Sequence, residues 1–393
     1  MRIHRLAALA VVTLAFAAPA LALDAIVEKK VFTLPSFTTM NGETIKYVRV
    51  GYETYGTLNA AKDNAILIPH FFSGSSHAAG KYAASDAAPG YWDAIIGPGK
   101  PIDTNKYFVL SSDTLVNLST KDPNVITTGP ATINPDTGKP YGMSFPIVTI
   151  RDFVNVQKAL VDSMGITKLH AVIGASMGAL QTFEWGAAYP DAVARIVPVI
   201  GGPELDAFAV GWLDLWAEPI RLDANWNKGD YYGKAEPIAG LTAALKVVTW
   251  HARYWQWAET ALGRKWASPD KDPAKSWDNK YAAQTWLETA AAGRAKVSDA
   301  NHFLYLVKAN QLYSLGSKGN WEEGLKAIKA KVLLMPAKTD LIFFPDFSKR
   351  AAAKLKELGK TVDLVEIEGT LGHLDGLVAI PKVGDRLATF LSD

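Results

Sequence analysis

Four short apolar runs limit the folds open to this chain more than any other feature. They are nearly continuous in apolar residues and lie at 65–68, 107–110, 169–173 and 196–200. A strand that is apolar on both faces is covered on both faces, which is typical of a parallel sheet. Residues 149–164, between the second and third runs, carry apolar side chains at helical spacing. Strand and helix therefore alternate, and we predict an α/β fold, a mostly parallel sheet with helices on both faces.

Two further patterns divide the chain. Residues 30–55 alternate polar and apolar positions around Asn41-Gly42, which predicts an antiparallel β-hairpin. Residues 203–328 are mostly helical in pattern and hold ten of the twelve tryptophans, which we expect in a core and pocket wall rather than in a cofactor site. Strand-like runs then return at 331–335 and 362–367, around a predicted helix at 347–358. The predicted segments are a signal peptide (1–22), an α/β core (23–202 and 329–393) and a helical lid insertion (203–328).

The N-terminal segment has the three parts of a secretory signal peptide. Arg2 and Arg5 precede an apolar run, and Pro19 precedes the small-residue site Ala20-Leu21-Ala22. A membrane anchor is the alternative, but the run is short for a span and is followed by a helix breaker. Removal of the segment takes away the whole formal charge of +2, so we expect a neutral, periplasmic or secreted protein that binds no nucleic acid and no membrane. The absence of cysteine excludes disulfides and thiolate chemistry.

A Gly-x-Ser-x-Gly sequence, Gly174 to Gly178, lies between the third apolar run and a predicted helix. A serine on such a tight strand-to-helix turn is typical of a nucleophile, because the strained backbone needs small neighbours. The helix N-terminus lends its positive end, with the N–H group of Met177, to a developing oxyanion. Ser176 is therefore the candidate nucleophile. The alternative is a glycine-rich turn with a capping serine.

The remaining partners of a nucleophilic serine follow it in the chain. His373 is the candidate base, since it is the one histidine after the last predicted strand, although a loop hydrogen bond is its alternative role. Asp340 lies in the loop just after the predicted strand at 331–335 and is the candidate acid, with Asp346, Asp363 and Asp375 as weaker rivals.

The loop after the first apolar run, 69–74, is expected to supply a second oxyanion donor, which we assign to the N–H group of Phe72. His70 in the same loop is expected to pack and hydrogen-bond rather than to react. The sequence has no glycine-rich dinucleotide or phosphate motif and no His-x-x-x-His pair. No cofactor and no metal is therefore implied.

Beyond these residues, the chain resembles the homoserine O-acetyltransferase family of the α/β-hydrolase superfamily along nearly its whole length after residue 22. The matching stretches include 70–80, 92–99, 103–108 and 128–142. The resemblance implies an α/β-hydrolase fold with a helical lid, the roles of a catalytic triad for Ser176, Asp340 and His373, and a homodimer formed through the lid helices.

The chain departs from the family pattern where the family binds its amino-acid acceptor. Ala217 replaces a family arginine, so a guanidinium that would pair with a carboxylate is lost unless Arg221, one turn further on, substitutes for it. Gln311 replaces a family aspartate, and Leu374 directly follows the candidate base where the family has aspartate. The candidate substrate-binding residues are Arg253, which matches a family arginine, Arg221 and Asp375.

Three functions remain open. The preferred hypothesis is hydrolysis of a small ester or similar acyl substrate through an acyl-enzyme, because export separates the chain from cytosolic acetyl-CoA and the family arginine is replaced. The first alternative is an O-acyltransferase that passes an acyl group from a thioester to an alcohol. The second is a non-catalytic ligand-binding protein, which the presence of all three triad residues disfavours.

Overall fold

The computed structural model describes residues 26–316 and 320–393, so the predicted signal peptide lies outside the described residues. The strands are β1 (Lys30–Thr38), β2 (Thr44–Tyr55), β3 (Ala65–Pro69), β4 (Ile96–Gly97), β5 (Ile102–Asp103), β6 (Phe108–Ser112), β7 (Ala171–Ala175), β8 (Arg195–Val199), β9 (Lys331–Leu334) and β10 (Val362–Leu364). The α-helices are α1 (Ile150–Ser163), α2 (Met177–Ala188), α3 (Ala207–Leu222), α4 (Ile238–His251), α5 (Trp255–Ala261), α6 (Ala282–Ala295), α7 (Ala300–Gln311), α8 (Trp321–Ala327), α9 (Pro345–Glu357), α10 (Asp375–Val378) and α11 (Gly384–Ser392).

One eight-stranded sheet organises the described part of the chain, in the order β1-β2-β6-β3-β7-β8-β9-β10. The pairs β1–β2 and β2–β6 are antiparallel, and every later pair in this order is parallel. The four apolar runs of the sequence form β3, β6, β7 and β8, whose residues are almost all buried. Separate apolar cores cover the two faces of the sheet. The predicted α/β fold is confirmed.

The helices between strands begin where the sequence indicates. Thr149 caps α1: its side chain accepts a hydrogen bond from the Asp152 N–H group, and the Asp152 carboxylate accepts one from the Thr149 N–H group in return. This reciprocal arrangement satisfies two backbone donors that a helix start leaves free. The strand expected at 362–367 is shorter than predicted, because β10 is an edge strand and pairing resumes only at a single bridge between Ala337 and Ile367.

Helices α3 to α8 lie between β8 and β9, in the part of the chain predicted as a lid insertion. Helix α4 contacts both α3 and α6, and α3 also contacts α7. Helix α8 instead contacts α2 and α9 of the α/β core. Within 26–316 and 320–393, no helix is both long and apolar enough to cross a membrane.

Candidate active site

Ser176 is the single residue between the end of β7 and the start of α2, and it has φ of 58° and ψ of −120°. A non-glycine residue held at positive φ is strained and is found most often where function requires it. The turn leaves no room for a side chain at either of its two glycines. A Cβ atom at Gly174 would lie 2.3 Å from the carbonyl oxygen of Gly178, and one at Gly178 would lie 2.3 Å from that of Pro69.

A chain of hydrogen bonds runs from this serine into the protein. The distance between Ser176 Oγ and His373 Nε2 is 2.8 Å, and that between His373 Nδ1 and Asp340 Oδ2 is also 2.8 Å. All three residues are buried. The second carboxylate oxygen of Asp340 accepts hydrogen bonds from the N–H groups of Ile342 (2.8 Å) and Phe343 (3.1 Å), which fix the carboxylate toward the imidazole. The structure thus brings together the three residues that the sequence singled out.

Asp375 is hydrogen-bonded to both of the loops that carry the acid and the base. Its Oδ2 atom accepts hydrogen bonds from the Thr339 hydroxyl and from the Leu371 N–H group, both at 3.1 Å. Thr339 directly precedes Asp340, and Leu371 lies two residues before His373. Asp375 is only 1 % exposed and lines neither cavity beside the serine, and a role for it in substrate binding stays a prediction.

Two backbone N–H groups near Ser176 are available to an oxyanion. Among the described residues, the N–H groups of Met177 and Phe72 have no hydrogen-bond acceptor. Gln181 links the segments that carry them, because its amide donates to the carbonyl oxygens of both His70 (3.2 Å) and Met177 (3.1 Å). The amide is itself held by Gln157, whose nitrogen donates to the Gln181 oxygen at 2.7 Å.

His70 supports the same loop as a neutral side chain. Burial lowers the pKa of His70 to about 4. Its Nδ1 atom lies 2.7 Å from the carbonyl oxygen of Phe71, and its Nε2 atom accepts the Thr114 N–H group at 3.1 Å. Asn117 completes the support by donating to the Gly74 carbonyl oxygen at 3.0 Å. These contacts match the packing role expected of His70.

Two cavities of unequal size meet at Ser176. Phe72, Ser176, Trp216 and Ile342 line both of them. The smaller has a volume of about 30 Å³ and is lined mainly by apolar side chains of the lid insertion, namely Leu205, Phe208, Trp212 and Leu213. The larger has a volume of about 240 Å³, and its further lining residues include His373, Leu374, Trp286, Arg253 and Arg294.

The two lid arginines expected to meet substrate have different places. Arg253 lines the larger cavity. Arg221 does not, because its guanidinium turns along the surface of α3 to Asp214 (2.8 Å) and Glu218 (2.6 Å). Arg221 therefore lines neither cavity beside Ser176, and a role for it in substrate binding stays a prediction. Arg294 was not predicted, since the sequence around it shows only a helix and no motif.

Comparisons with known proteins extend these observations. Residues 127–377 match the alpha/beta hydrolase fold family. The homoserine O-acetyltransferase of Carboxydothermus hydrogenoformans is 38% identical over 93% of this chain and 95% of that protein. The solved homoserine O-acetyltransferase of Bacillus anthracis is 38% identical, with a TM-score of 0.90 over 94% of this chain and 98% of that one. The solved esterase E22 is 51% identical, with a TM-score of 0.89 over 93% of this chain and 100% of that one.

A relative at this identity and coverage shares its family as well as its fold, and the sheet order agrees with the family match. The chain is an enzyme of the serine α/β-hydrolase type, and it belongs to the homoserine O-acetyltransferase family.

Proposed function

We propose that this enzyme transfers a short acyl group from an ester or thioester to a hydroxyl acceptor through an acyl-enzyme on Ser176. The observation that carries the proposal is the hydrogen-bonded chain from Asp340 through His373 to Ser176, which ends beside two unpaired backbone donors. Such a constellation is the general requirement for acyl transfer by a serine.

The geometry supports a two-stage reaction. His373 Nε2 takes the proton of Ser176 as the Oγ atom attacks the carbonyl carbon, and the N–H groups of Met177 and Phe72 stabilise the oxyanion. Asp340 holds the ring in the tautomer that leaves Nε2 free to accept this proton. The imidazolium then protonates the departing alcohol or thiol. In the second stage His373 takes a proton from the acceptor, which attacks the acyl-enzyme, and returns it to Ser176.

The small cavity supports a short acyl group. Its volume of about 30 Å³ is enough for a small group such as a methyl and is much less than the about 240 Å³ of the larger cavity, which favours a short acyl group. Its walls of Leu, Phe and Trp suit an apolar group.

Two acceptors are candidates. The relatives named homoserine O-acetyltransferases favour an alcohol over water, and thus favour the transferase alternative over plain hydrolysis. Hydrolysis is the second candidate, and specific observations favour it. The similar structure named esterase E22 is one, and the absence of a guanidinium at Ala217 and of a carboxylate at Leu374 is another, because both changes weaken recognition of an amino-acid alcohol.

The decisive experiment measures how one acyl-enzyme divides between acceptors. Purified protein is given p-nitrophenyl acetate or acetyl-CoA, with and without homoserine, and acetate and O-acetylhomoserine are both quantified. Transfer predicts that acetylated alcohol forms at the expense of acetate, and hydrolysis predicts acetate alone. Ser176→Ala is the control, and full activity in this variant would remove the proposed nucleophile. Labelling of Ser176 by a fluorophosphonate separates both activities from a non-catalytic binding protein.

We also propose that the protein is exported and that it forms a dimer. Export predicts a mature chain that begins at Leu23, which N-terminal sequencing of secreted or periplasmic protein would test. Pairing through the lid helices predicts a dimer, which sedimentation velocity would test.

A further inference from the structure

A pair of aromatic side chains separates the small cavity beside Ser176 from a groove on the surface of the lid insertion. This lid groove has a volume of about 500 Å³ and is lined by residues of α3, α4 and α6, among them Val247 and the exposed Trp250. The lid groove and the small cavity share two lining residues among those described, Trp212 and His251. Neither of the two lines the larger cavity at the serine.

The two shared rings are stacked on each other. Their centroids lie 4.0 Å apart, and the angle between the ring planes is 26°. Trp216 meets the His251 ring edge-on, at 5.8 Å and 82°, and Phe208 meets Trp212 in the same way, at 6.4 Å and 76°. Stacked and edge-to-face arrangements stabilise aromatic groups beyond the area that they bury. Trp212 and His251 therefore form one continuous wall rather than two independent side chains.

Both ring nitrogens of His251 are hydrogen-bonded, which fixes the wall. The Trp216 Nε1–H group donates to Nδ1 at 3.2 Å, and Nε2 donates to the carbonyl oxygen of Leu341, also at 3.2 Å. Burial lowers the pKa of His251 to about 4, so the ring is neutral at neutral pH and can accept at Nδ1. A rotation of the imidazole that opened the wall would break both hydrogen bonds. Leu341 directly follows Asp340, so the ring also joins the lid insertion to the loop that carries the acid.

We propose that Trp212 and His251 limit the length of the acyl group that the enzyme accepts, because they close the small cavity on the side of the lid groove. The inference rests on the proposed function, in which the small cavity takes the acyl group and the larger cavity at Ser176 takes the alcohol. The substrate class is then an acetyl or similarly short ester or thioester. A longer acyl chain would have to displace one of the two rings to reach the apolar surface of the lid groove.

The test removes the wall and compares esters that carry a long chain on opposite sides. Ethyl hexanoate and hexyl acetate are isomers with the six-carbon chain on the acyl side and on the alcohol side. We expect the wild-type kcat/KM to favour hexyl acetate at least about 100-fold, since one methylene group in a hydrophobic pocket changes kcat/KM about 10- to 200-fold. Trp212→Ala should raise the ratio of ethyl hexanoate to hexyl acetate at least about 10-fold.

Two further variants control for the loss of an aromatic ring and for folding. Trp250→Ala is the matched control, because Trp250 lines the lid groove but not the small cavity, and its ratio should equal that of the wild type. Trp212→Phe keeps a smaller ring in the wall and should give an intermediate ratio. This variant decides if thermal unfolding shows that Trp212→Ala does not fold.

The outcomes distinguish the wall from the reaction. A wild type that turns over both isomers equally, or a folded Trp212→Ala protein with an unchanged ratio, overturns the inference; loss of turnover in Ser176→Ala would still leave the proposed function standing. A gain for hexyl acetate alone also overturns it, because the small cavity would then take the alcohol. If no ester is turned over, the proposed function fails, and calorimetry with hexanoate decides on the wall. Tighter binding to Trp212→Ala than to the wild type supports the wall, and equal affinity refutes it.

Discussion

Gly178→Ala should increase the distance between the two oxyanion donors without changing any of the reacting side chains. A Cβ atom at this position would meet the carbonyl oxygen of Pro69 at 2.3 Å, its carbonyl carbon at 3.1 Å and that of His70 at 3.3 Å. All three atoms are backbone, so no side chain can rotate away. An ordinary carbon–oxygen contact is about 3.3 Å. The start of α2, which carries the Met177 N–H group, must therefore move about 1 Å from the loop that carries Phe72.

The size of the effect follows from this displacement. A misplacement of about 1 Å in a catalytic group costs about 100-fold in rate, and the loss of one oxyanion donor costs about 100- to 1,000-fold. We expect kcat to fall about 100-fold, or about 2.7 kcal/mol in activation free energy. The overpacking should also lower the free energy of unfolding by about 1–3 kcal/mol.

The assay is the rate of p-nitrophenyl acetate hydrolysis, read together with thermal unfolding. Gly211→Ala is the control, because a Cβ atom there meets nothing within 4 Å and alanine favours the α3 helix by up to about 1 kcal/mol. Its kcat should equal that of the wild type. A folded Gly178→Ala protein with kcat within about threefold of the wild type would refute the reasoning, since the close approach would then not set the donor geometry.

Three further predictions concern the groups around the site. Asp340→Asn should lower kcat about 10⁴-fold, because an amide facing His373 favours the wrong ring tautomer. Asp346 is exposed, so Asp346→Asn should leave kcat unchanged. Equal effects of the two substitutions on kcat would contradict the assignment of the acid. Gln181→Leu removes the side-chain donor to the carbonyl oxygens of His70 and Met177 and should cost about 1–3 kcal/mol in unfolding free energy, with a fall in kcat that a purely structural role would not produce. The pKa of His70 is lowered from 6.5 to about 4, so as the pH falls the unfolded chain takes up a proton at His70 before the folded chain does, and up to about 3 kcal/mol of stability is lost between pH 6.5 and 4. Denaturant unfolding should therefore show a shallower pH dependence of stability in His70→Asn than in the wild type. Equal slopes would refute this.

Local patterns were enough to predict the scaffold and the serine turn. The apolar runs report burial on both faces, which only an inner strand of a covered sheet requires, and β3, β6, β7 and β8 follow from them. Ser176 and His373 each follow a predicted strand, and a parallel sheet brings the carboxyl ends of its strands to one edge, so the two residues are expected at the same edge.

The cavity walls could not be predicted in the same way. Arg294 reaches the site through the packing of α6 against α4, and a single sequence does not show which helix face meets a partner. The orientation of Arg221 depends instead on residues close to it in the sequence. Its neighbours Asp214 and Glu218 lie on its own helix, and these local ion pairs hold the guanidinium away from the cavity.

The meeting of two unequal cavities at Ser176 also determines an order of events in the proposed reaction. The acyl half of the substrate stays in the small cavity, while the alcohol half must leave the larger one before any second molecule can reach the acyl-enzyme. The first product and the second substrate therefore compete for one space. Kinetics should follow a ping-pong pattern with parallel double-reciprocal lines, and the share of transfer over hydrolysis should depend on how long an alcohol occupies that space.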